Sequence, residues 1–66
     1  MFIFDKNYCN LNINDTVIYN SNKLIITDIN DNLILSNGEE IEVTDFIVLN
    51  DIELVKNYLG EEGGLF

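Results

Sequence analysis

Turn-forming clusters recur at short intervals through the middle of this chain. Asn20-Ser21-Asn22, Asn30-Asp31-Asn32 and Asn37-Gly38 interrupt an otherwise aliphatic sequence. Asn, Asp, Ser and Gly accept left-handed or tight-turn backbone at low cost. The runs between them read as short strands. Leu11 and Ile13 alternate with polar residues, as do Val17 and Tyr19, and Lys23 to Ile29 is β-branched. Leu33-Ile34-Leu35 follows. Asn37-Gly38 is the strongest hairpin signal, because a two-residue loop with positive φ suits the twist of paired strands. Beyond it, Glu40, Glu42 and Thr44 alternate with Ile41 and Val43, which predicts one wet and one buried face. Phe46 to Leu49 reads as a fully buried final strand. The expected order is a meander of four strands, a brief turn, then a fifth strand.

Size sets the next constraint. A chain of 66 residues makes one domain, and at this length only roughly 60% of the unfolded surface is buried. Small domains usually compensate with disulfides, metals or self-association. A single cysteine, Cys9, excludes an internal disulfide, and the absence of histidine removes the usual zinc ligand set. A dense aliphatic core or oligomerisation must supply the stability. Five short strands cannot bury two faces as a flat sheet, so curling into a small barrel is the economical expectation.

Asn14-Asp15-Thr16-Val17 and Asn37-Gly38-Glu39-Glu40-Ile41-Glu42-Val43 give this pattern a familiar form. The segment 11–49 resembles the SH3-like small β-barrels of bacteria and phages. That resemblance implies a mostly β, five-stranded barrel. It implies little about activity, since one fold hosts many functions.

The flanks differ from the middle. Residues 1–10 read as an extended segment. Asn50-Asp51-Ile52-Glu53 has the form of a helix start, with a capping Asn and acids in the first turn. Ile52, Val55 and Leu59 fall on one helical face, with Leu54 and Tyr58 beside it, and Gly60 supplies a stop. The sequence thus predicts a C-terminal helix over 50–60. Two turns do not hold alone in water, so the helix must dock, through Ile52, Val55, Tyr58 and Leu59. The tail 61–66 reads as flexible, with an apolar Leu65-Phe66 end.

Catalytic chemistry finds little to work with. No histidine is present as a base, neither Ser21 nor Ser36 sits in a nucleophile elbow, and Cys9 has no histidine to activate it. Neighbouring acids such as Glu39 and Glu40 point to opposite faces of a strand. No enzyme activity and no cofactor is expected. The window Asp28 to Glu39 carries oxygen side chains at calcium-loop spacing, in Asp28, Asn30, Asn32, Ser36 and Glu39. Leu33 stands where the loop needs glycine, and the flanks are strand-like, so no metal site is expected there.

Charge is the strongest global signal. Twelve acids against three lysines give a net charge of −9. Residues 27–66 hold ten of the acids and one lysine, Lys56. Direct binding to nucleic acid or anionic membrane is disfavoured, because no basic patch exists to displace counterions. No leader or membrane span is visible, and a cytoplasmic location is expected. Asp28, Asp31, Glu39, Glu40, Glu42 and Asp45 are the candidate contact residues for a protein partner with a basic surface. The expected function is a small non-enzymatic binding protein that mimics nucleic-acid charge, such as a phage-encoded inhibitor of a host defence protein of the anti-CRISPR kind. The alternative is an assembly module that oligomerises or docks through strand edges and the C-terminal helix.

Overall fold

The computed structural model describes residues 1–57 and 59, and these form a mostly β structure. Its strands are β1 (Phe2–Phe4), β2 (Thr16–Tyr19), β3 (Asn22–Ile29), β4 (Asn32–Leu35), β5 (Glu40–Glu42), β6 (Phe46–Val48) and β7 (Ile52–Lys56). Five of them make one antiparallel sheet in the order β5-β4-β3-β2-β7, while β1 and β6 pair in parallel as a separate ribbon. The five-stranded sheet is open, with β5 and β7 as its two edges.

The predicted turns are where the chain reverses. Asn20 and Ser21 both have positive φ, at 51° and 65°, and join the paired residues Tyr19 and Asn22. That is the two-residue primed turn whose twist matches the strands it connects. At the β4–β5 hairpin, Gly38 takes φ 92° and its N–H donates to the Leu35 carbonyl at 2.9 Å. A Cβ at Gly38 would meet open space, so the demand for glycine there comes from the backbone angle alone.

The core lies on one face of the sheet. Val17, Ile26, Leu33 and Leu35 are buried from the meander, Ile52 and Leu54 from β7, and Ile3, Leu11 and Val43 close over them. The meander alternates as its sequence predicts. Leu33 and Leu35 are buried while Glu40 and Glu42 face water.

Four expectations are corrected. Within the segment 50–60 over which a helix is predicted, Ile52–Lys56 forms β7 instead, paired with β2 through Tyr19↔Ile52, Ile18↔Glu53 and Val17↔Leu54. Ile52 and Leu54 alternate with half-buried Glu53 and Val55, a period of two that Asn50 and the first-turn acids obscure. A short isolated helix gains little, whereas pairing with β2 buries two large side chains in the shared core. Second, Phe46–Val48 joins β1 rather than the main sheet, and Phe46 is 69% exposed rather than buried. Third, Leu11 to Ile13 is a turn entry rather than a strand. The Asn12 N–H donates to Asp15 Oδ2 at 2.7 Å, leaving Leu11 buried and Ile13 exposed. The expected barrel is likewise absent as a closed sheet, since β5 and β7 do not pair.

One buried side chain ties the N-terminus to this architecture. Asp5 is fully buried. Its Oδ1 accepts the N–H groups of Asn7 at 2.9 Å and Cys9 at 2.8 Å, and its Oδ2 accepts the Leu54 N–H at 2.8 Å. The Lys6 N–H donates to the Ile52 carbonyl at 2.9 Å. The turn after β1 therefore occupies the outer edge of β7, where an exposed strand would otherwise offer unpaired backbone groups.

Candidate functional site

The sheet register decides which acids share a face. Asp28 pairs with Ile34, and Ile34 pairs with Glu40, so these three form one row across β3, β4 and β5. Asn32 pairs with Glu42 in the adjoining row. Directly opposed residues place their side chains on the same face of a sheet. The Asn32 Nδ2 donates to Glu40 Oε1 at 2.9 Å, a contact that bridges the two rows. Asp28, Glu40 and Glu42 thus stand together on the outer face.

Asp31 and Glu39 lie on the two turns that flank this face, both exposed. The Asp31 carbonyl receives the Val43 N–H at 3.5 Å, and the Glu39 N–H donates to Asn37 Oδ1 at 3.0 Å. Asp45 is set apart. It precedes β6, and its carbonyl accepts the Phe2 N–H at 2.6 Å, which places it beside the β1–β6 ribbon.

The lysines sit elsewhere. Lys6 approaches Glu53 at 3.4 Å, Lys23 opposes Ile18, and Lys56 opposes Thr16. No lysine or arginine occurs in 24–55, the segment that carries the acidic rows. The outer face consequently runs from acidic at β5 to mixed charge at β7.

Of the residues considered for docking, Ile52 is buried in the core, Val55 is half-buried on β7, and Leu59 is 68% exposed. Tyr58, the Gly60 stop and the tail 61–66 lie outside the described residues.

In the calcium-like window, the side-chain oxygens of Asp28 and Asn30 accept local turn hydrogen bonds, and Ser36 Oγ accepts one from the neighbouring strand β3. Asp28 Oδ1 accepts the Ile29 N–H at 2.9 Å and its Oδ2 accepts Asn30 Nδ2 at 3.0 Å. Asn30 Oδ1 accepts the Asn32 N–H at 3.2 Å, and Ser36 Oγ accepts the Ile25 N–H at 3.0 Å. Leu33, in the middle of the window, is fully buried. Among the described residues, no group of three or more His, Cys, Asp or Glu gathers as a metal site. A hollow of about 240 Å³ lies beside Tyr19, lined also by Ile41, Val48, Leu49 and Asp51.

Sequence reasoning missed an aromatic surface. Phe2 and Phe46 are 55% and 69% exposed, and their ring centroids lie 6.3 Å apart. Phe4 packs on Phe46 at 5.4 Å. The signal was present in Phe2-Ile3-Phe4 and Phe46-Ile47-Val48, since a strand apolar at every position has two apolar faces to cover. Tyr8 was missed as well. It is 74% exposed and held at φ 63°, a conformation that bulky residues seldom adopt.

The fold and these surfaces define a small β protein with a five-stranded antiparallel sheet. No family model, curated protein or solved structure matches the chain. Among the described residues, no helix is long and apolar enough to cross a membrane.

Proposed function

We propose that this chain is a small non-enzymatic binding protein whose acidic outer face occupies a basic surface on a protein partner. Asp28, Glu40 and Glu42 are the centre of the contact, with Asp31 and Glu39 at its rim. The observation that carries this reading is the row Asp28–Ile34–Glu40, which spans three strands and brings carboxylates of β3 and β5 onto one face of the sheet. A fixed array of carboxylates offers a basic groove the charge pattern of a phosphate backbone, without the entropy cost of ordering a flexible acidic tail. An inhibitor that blocks a nucleic-acid-binding protein of a host is the function best served by such a face. The SH3-like reading belongs to the same proposal. It is supported by Asn14-Asp15-Thr16-Val17 at the head of the meander and by the return of β7 beside its first strand.

Affinity capture from a bacterial lysate at low and high salt tests the proposal. Charge-driven contacts between exposed groups weaken as the Debye length falls from ~10 Å at 0.1 M toward ~3 Å at 1 M. A partner retained at low salt should be released at high salt, and should not be captured by the Glu39→Lys/Glu40→Lys/Glu42→Lys variant. Retention at high salt, broken instead by changes at Val55 or Leu59, would replace this reading with an assembly role.

A further inference from the structure

The β1–β6 ribbon carries apolar side chains on both faces. Its parallel register places Ile3 beside Ile47 on one side, and Phe2 beside Phe46 and Phe4 beside Val48 on the other. Ile3 is 2% exposed, so the first side is the inner one. The second side carries Phe2 and Phe46, both more than half exposed and with ring centroids 6.3 Å apart, with Phe4 and Val48 half-buried beside them. Among the described residues, β6 has no strand on the side away from β1. A contiguous apolar patch of this kind on so small a protein marks an interaction surface.

We propose that this outer ribbon face docks an extended segment of a basic partner, one that presents an apolar or aromatic anchor between lysines or arginines. Charge selects this occupant. A second copy would bring −9 against −9, whereas a cationic segment is drawn to the same surface. One acid, Asp45, lies beside the ribbon, where its carbonyl accepts the Phe2 N–H. Glu42 ends β5, Asp45 immediately precedes Phe46, and no cation occurs anywhere in 24–55. The proposal rests on the acidic-face reading for the partner's charge and adds to it the residues that hold the partner. In this division the carboxylates steer association, and Phe2 and Phe46 supply the desolvated anchor contacts that typically dominate affinity.

The test uses the full chain and two synthetic peptides of equal charge, Lys-Leu-Lys-Phe-Lys-Leu-Lys and Lys-Ser-Lys-Ser-Lys-Ser-Lys, titrated by calorimetry. The apolar-bearing peptide should bind on the order of tenfold tighter, as expected for one or two anchor residues. That excess should disappear in Phe46→Ser and in Phe2→Ser, two exposed positions whose variants should keep the parent amide spectrum. Equal binding of the two peptides, or an excess that survives both variants, overturns the proposal while leaving the acidic face standing. Self-association of the free protein that Phe46→Ser abolishes overturns it in favour of a second copy. Tighter peptide binding by a Leu65→Ser/Phe66→Ser variant overturns it in favour of the chain's own C-terminus. If Glu39→Lys/Glu40→Lys/Glu42→Lys leaves both peptides bound as before, the acidic-face reading fails. A Phe-dependent excess in that same variant keeps the ribbon as the dock.

Discussion

The Asp5 carboxylate accepts three backbone N–H groups, from Asn7, Cys9 and Leu54, in a site closed to water. Removing the side chain would strand the buried Leu54 N–H and cost the half-buried Asn7 and Cys9 N–H groups their partner, and a buried unsatisfied group costs about 1–3 kcal/mol. Asp5→Ala should therefore lower stability by about 3 kcal/mol, read as a fall in the urea midpoint at unchanged slope. A domain of this size rarely holds more than ~3–5 kcal/mol in total, so the variant should sit close to unfolding at room temperature. Ser21 offers the opposite outcome. It is held at φ 65° in the primed turn, where a side chain costs roughly 1–2 kcal/mol and glycine nothing. Ser21→Gly should raise the thermal midpoint, the gain being about 0.5–1 kcal/mol once the greater backbone entropy of glycine is subtracted.

Among the elements, β7 depends most on distant partners. It pairs with β2 on one side, and on the other its Leu54 N–H and Ile52 carbonyl are met by the turn around Asp5 and Lys6. The Leu54 amide should exchange slowly in the parent protein and much faster in Asp5→Ala, with Val17 and Ile18 less affected because β3 still pairs with β2. Hydrogen exchange followed by NMR reads this directly. The hairpins of the meander were legible in the sequence because their information is local. Asn20-Ser21, Asn30-Asp31-Asn32 and Asn37-Gly38 dictate reversal wherever they occur. β7 was not legible, since Asn50-Asp51-Ile52-Glu53 has the local form of a capped helix, and its real partner β2 lies far back along the chain. The same limit hid the aromatic ribbon. An apolar run such as Phe46-Ile47-Val48 says that the strand is hydrophobic, but not that one of its faces is left in water. Asp5 went unnoticed because a buried carboxylate and a solvated one look alike in a sequence. Of the candidate site, the acids themselves were readable, while their grouping required the register that places Asp28, Ile34 and Glu40 in line and sets Asp45 apart.

At the scale of the whole molecule, charge works against compactness. The chain carries a net charge of −9, and its described residues span only 29 × 24 × 21 Å, so their carboxylates lie within mutual range at low ionic strength. Added salt should raise the thermal midpoint of the free protein, because screening relieves repulsion that the three lysines do not offset. The same salt should weaken partner binding, so stability and affinity should move in opposite directions as ionic strength rises. An amide-shift titration of the isotopically labelled protein with a lysine-rich peptide, at low and at high salt, tests whether the β3–β5 outer face is the binding surface. Asp28, Ile34, Glu40 and Glu42 should shift together at low salt and return toward their free positions at high salt. Shifts scattered over the surface, or a response unchanged by salt, would contradict the assignment of the β3–β5 outer face as the binding surface.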